Sequence, residues 1–174
     1  MIGYHDLEPA ADPPPNASLQ YEQPGNIPVT VKTERRGDLL TVDLLAHDEL
    51  FDNERYVASP DLFAVAYAAG EDYVPPIPIL KFPLNLGGPG WTWSGTLSSE
   101  KDPHPATATV STHEAKVTVG ASTFWTVRCD VDMVIAPYRN APVVARHLSF
   151  WFEKGHGLIK RDFAGTQIRQ PVFR

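Results

Sequence analysis

Apolar side chains in this chain recur at every second position far more often than at every third or fourth, a period that predicts strands. The clearest case runs from Arg146 to Phe163. Leu148, Phe150 and Phe152 fall on one face, His147, Ser149 and Trp151 on the other, and Gly155 and Gly157 supply the positive φ that a tight reversal needs. This predicts a β-hairpin. A second hairpin is predicted from Val29 to Leu45 around Arg36-Gly37-Asp38, and single strands at Arg55 to Ala58, Leu62 to Ala68 and Trp91 to Leu97. After a loop from Ser98 to Pro105, alternation predicts strands over Thr107 to His113, Ala115 to Val119 and Thr123 to Ile135, a loop over Pro137 to Pro142, and an edge strand between Gly165 and Gln170.

Pro75-Pro76-Ile77-Pro78-Ile79-Leu80-Lys81-Phe82-Pro83-Leu84 is expected to be an extended strap over the core rather than a central strand, because its four prolines lack amide donors. Residues 1 to 26 hold Asp12-Pro13-Pro14-Pro15 and Pro24-Gly25 and little periodic apolar content, so they are expected to form a linker or loosely ordered arm. The rest, 27 to 174, is expected to be one domain. The fold class that follows is all-β: a single curved antiparallel meander of about 9–11 strands with little or no helix. It must curl, either into a half-barrel or into a two-sheet sandwich.

Composition narrows the function more than it names it. The chain has 174 residues, 43% apolar, enough for one core. A formal charge of −6 disfavours nucleic acid, even though the stretch from Arg146 to Arg174 is basic. Cys129 is the one cysteine, so no disulfide forms within the chain, and its place on an apolar strand face reads as packing. No apolar run is long enough for a transmembrane helix. No secretion signal stands at the N-terminus, so an exported protein would have had it removed.

Three separated stretches together have a family look: Phe82-Pro83-Leu84-Asn85-Leu86-Gly87 before Trp91-Thr92-Trp93, then Ser122-Thr123-Phe124, then Phe150-Trp151-Phe152 before Gly155-His156-Gly157-Leu158-Ile159-Lys160. In this order they resemble a family of exported bacterial β-domains of unknown function, often lipoproteins. The likeness spans about residues 77 to 163, with Ser122 where that family usually has glycine. It implies a curved antiparallel sheet, a periplasmic or other cell-envelope location, and no assigned catalytic residues.

Candidate chemistry is thin. His104 and His113, like His147 and His156, lie nine apart and on no predicted helix, which is poor spacing for zinc. Asp130 and Asp132 flank a strand face beside Arg128, where solvated ion pairs are expected rather than a calcium or glycosidase site. No nucleophile elbow, P-loop or dinucleotide glycine pattern occurs. We therefore expect no enzyme, cofactor or metal, and a structural or interaction domain of the envelope. The alternative is a half-barrel module in which Trp91, Trp93, Trp125, Trp151, Ile79 and Phe82 line a pocket for a lipidic or other apolar ligand. Those residues equally suit a filled core, which is the reading favoured. The partners expected are accordingly an apolar small molecule or an envelope protein.

Overall fold

The computed structural model describes residues 2–7, 17–20, 26–99, 102–136, 143–163 and 166–169. Its elements are one short helix, α1 (Tyr4–Leu7), and strands β1 (Ala17–Gln20), β2 (Asn26–Arg36), β3 (Leu39–Ala46), β4 (Glu49–Ser59), β5 (Leu62–Ala68), β6 (Glu71–Lys81), β7 (Trp91–Ser99), β8 (Asp102–Val119), β9 (Ser122–Ile135), β10 (Val144–Glu153), β11 (Gly157–Phe163) and β12 (Thr166–Arg169). Strands β2 to β11 form one curled antiparallel meander in which each pairs with its neighbour in sequence. The four-residue strands β1 and β12 pair with each other and with β2 and β11, which closes the ring into a barrel. The all-β antiparallel architecture is thus the one expected, with the half-barrel drawn shut at its seam.

Alternation decides which side chains turn inward. Leu148, Phe150 and Phe152 of β10 are buried inside with Cys129, Val131 and Met133 of β9, while Arg128, Asp132 and His147 point outward. The glycines at the β10–β11 turn behave as predicted, Gly155 at φ 80 and Gly157 at φ 73. Contacts reach straight across the lumen. Phe63 of β5 meets Phe152 of β10 edge to face at 5.4 Å between ring centroids, and Arg161 of β11 donates to Glu54 of β4 at 2.7 Å. The barrel is therefore filled through its middle.

Three expectations are corrected. Residues 107 to 119 belong to a single strand, the 18-residue β8, because its pairing with β9 runs without a register shift from Ala106 to Val119. The loop expected from Ser98 to Pro105 is mostly strand, since β7 continues to Ser99 and β8 begins at Asp102. The proline-rich strap is largely β6, and only Phe82 to Gly90 runs free as a strap. Pro75 and Pro76 fit because they fall where β6 has no ladder partner. The register with β5 breaks between Val65 and Tyr67, and pairing with β7 stops at Val74. Two carbonyls left there accept from indoles instead, Pro75 from Trp93 Nε1 at 2.9 Å and Pro78 from Trp91 Nε1 at 2.8 Å.

One rim of the barrel is plugged by α1. Tyr4 and Leu7 are buried, Tyr4 packs edge to face on Phe82, and the Gly155 amide donates to the Asp6 carbonyl at 2.7 Å. The loop expected over Pro137 to Pro142 lies outside the described residues.

Candidate functional site

The residues singled out from the sequence do not converge. Trp93 and Ile79 are buried in the barrel core, and Trp91 and Phe82 pack half-buried against it. Trp151 lies on the outer face in a second apolar cluster with Val117, Val119, Phe124 and Ile159, and is flanked by Arg128 and Lys160 at 5.0 and 4.5 Å from its ring. Trp125 is 67% exposed. Cys129 is wholly buried, and burial raises its thiol pKa well above the usual range, as expected of an inert packing cysteine.

Two polar arrangements escaped the sequence reading. Inside the barrel, Glu54 and Arg161 are both buried, and the Tyr56 hydroxyl donates to the other Glu54 oxygen at 2.8 Å. Burial raises the pKa of Glu54 and of nearby Asp52 despite the Arg161 charge. Arg161 Nη2 has no hydrogen-bond partner among the described residues. Nearer the unplugged rim, Arg146 of β10 pairs with Glu71 of β6 beside buried Tyr73.

On the outer face, His147 Nδ1 lies 2.7 Å from Asp132 Oδ1, and His147 Nε2 lies 2.9 Å from Ser149 Oγ. That is the atom order of an acyl-transfer triad. The surroundings disable it. Ser149 donates its one proton to Asp130 at 2.6 Å, Arg128 donates to the same hydroxyl oxygen, and Ser149 is only 2% exposed. Strand β10 is paired on both sides at Ser149, so no backbone amide is spare to hold an oxyanion. The sequence signal was His-x-Ser facing Asp-x-Asp, meaningful only once the β9–β10 register is known. Among the described residues no group of three His, Cys, Asp or Glu is placed to hold a metal ion.

A cleft of about 280 Å³ opens at the plugged rim, between Ile2 and Leu7 of the N-terminal segment and α1, the strap (Leu86) and the base of the β8–β9 ribbon (Glu114, Trp125). Its floor is apolar. Its walls carry the exposed indole of Trp125, with Lys116 Nζ 4.5 Å over the ring, and a Lys154–Asp6 ion pair at 3.2 Å.

No family model matches the chain, and no curated protein matches it. Solved structures do. A candidate lipoprotein of Parabacteroides distasonis superposes with a TM-score of 0.53 at 8% identity, over 88% of this chain and 89% of the other. A candidate exported protein of Bacteroides fragilis with a YmcC-like fold gives 0.48 at 10% identity over 92% and 98%. The hypothetical lipoprotein YmcC of Escherichia coli gives 0.48 at 9% identity over 96% and 92%. At these identities the likeness is one of fold, that of the Parabacteroides distasonis protein.

Proposed function

We propose that this chain is a non-catalytic interaction domain of the bacterial cell envelope. The observation that carries the reading is the barrel's middle, closed by the Phe63–Phe152 contact and the Glu54–Arg161 pair, where a ligand-carrying barrel has a hollow. The shut Ser149–His147–Asp132 arrangement supports the non-catalytic part. The envelope location is supported by the fold shared with a candidate lipoprotein. No helix among the described residues is long and apolar enough to cross a membrane. Two measurements test the reading. The natural protein, expressed in its own host, is expected in the envelope fraction, and recovery from the cytosol counts against the location. A fluorophosphonate probe is expected to leave Ser149 unlabelled, and labelling lost in Ser149→Ala would make the protein a serine hydrolase.

A further inference from the structure

Strands β8 and β9 outrun the barrel. Pairing of β7 with β8 ends at Val110, and pairing of β10 with β9 ends at Val127, yet the two strands stay paired with each other to Val119 and Ser122. The result is a two-stranded ribbon standing over the plugged rim. The strap covers the β8 edge only as far as Thr112, whose carbonyl accepts from the Gly87 amide at 2.9 Å. That bond fixes the orientation of the strand, since a residue's N–H and C=O point the same way and the direction repeats every second residue. The backbone groups of Glu114, Lys116 and Thr118 therefore point away from β9, with no backbone partner among the described residues. All three residues are exposed.

We propose that this edge accepts an extended strand from a partner protein, with one apolar side chain of that strand seated in the cleft between Leu86 and Trp125. The inference rests on the interaction-domain reading and names its site. An open row of amides and carbonyls repeating every second residue along an extended edge is matched group for group by another extended polypeptide, which selects the class of occupant. The cleft opens beside Glu114 at the foot of the edge, and about 280 Å³ suits a single large side chain rather than a whole small ligand. Trp125, the most exposed of the large apolar side chains among the described residues, stands on the neighbouring strand directly opposite Lys116. A strand residue opposite Glu114 lies on the cleft side of the ribbon, and the residue two further on meets Lys116, which favours an acidic side chain there. The partner segment is thus extended, with an aliphatic or aromatic residue and an acidic residue two apart.

The test uses blocked eight-residue peptides alternating threonine with valine, in which one leucine or phenylalanine stands two residues from a glutamate. Binding is expected to quench Trp125 fluorescence and to slow amide exchange at Lys116 and Thr118. Thr118→Pro removes an amide that faces the edge and not β9, so it is expected to abolish binding while the ribbon stays paired. Trp125→Ala is expected to weaken it by about tenfold or more. Exchange at Lys116 and Thr118 that is already slow in the free protein would overturn the proposal, because the edge would then be covered. So would binding unchanged in both variants, no binding by any peptide of the set, or a pyranose that quenches Trp125 without protecting the amides. These failures leave the envelope and non-catalytic readings standing, since fractionation and serine labelling test those separately.

Discussion

Glu54 is the residue with most at stake, a carboxylate with no exposure held by one guanidinium and one phenol. Taking such a pair out of water is costly, and removing one partner leaves the other charge uncompensated, at about 3–5 kcal/mol. Glu54→Gln is expected to lower the unfolding free energy by about that much, measured by urea titration. The pH dependence has a definite sign. Because burial raises the Glu54 pKa above its ordinary value of 4.5, the folded state holds that proton more tightly than the unfolded chain. Its contribution to stability is full below about pH 4.5 and is lost as pH rises through the raised value. Asp52 adds to the same trend from its ordinary 3.8 upward. The fall in stability across this range is expected to be shallower in Glu54→Gln than in the wild type. Nothing in Asp52-Asn53-Glu54-Arg55 distinguishes this carboxylate from a surface one, since its partner lies 107 residues away on the far side of the ring.

Strand β6 shows how an element survives a sequence that argues against it. Its prolines cost ladder bonds, and the two indoles of β7 reach over to the carbonyls left behind. Gly95 makes the approach possible, because a Cβ there would lie 2.4 Å from the Val74 carbonyl oxygen and 2.5 Å from the Trp93 ring. Trp93→Phe keeps most of the buried area and loses the bond to Pro75, so it is expected to cost about 1–3 kcal/mol by leaving that carbonyl unsatisfied. Gly95→Ala is expected to cost at least as much through overpacking, about 1–3 kcal/mol by thermal unfolding. The alternating runs were legible as strands because period two survives wherever one face is wet, as in β2 and β3; in β10 the sequence alternates although Ser149 and Trp151 on its outer face are buried too. The helix α1 was not, being four residues long and too short to show a period. Trp125 was misleading for a related reason. It keeps the inward parity of β9, but at that height the ribbon has left the barrel and there is no interior to face.

At the scale of the whole molecule, the curl of the sheet could be read from many hairpins in one chain, but its closure could not. Closure depends on β1 and β12, four residues each, with no alternation strong enough to set them apart from loops. The candidate site was equally hidden, because the cleft gathers Ile2, Leu86, Glu114 and Lys154 from four separate parts of the chain.

The side-by-side placement of the first and last strands, with Leu19 opposite Ile168, means that the order in which the strands are synthesised is not built into the ring. A version in which a flexible glycine-serine linker joins the end of the sequence to its start, with new ends cut between exposed Ala69 and Gly70, should assemble the same sheet. Its melting temperature is expected within about 4 °C of the parent, a difference of about 1 kcal/mol, and a rearranged or unfolded product would mean that the order β1 to β12 along the chain is needed for folding.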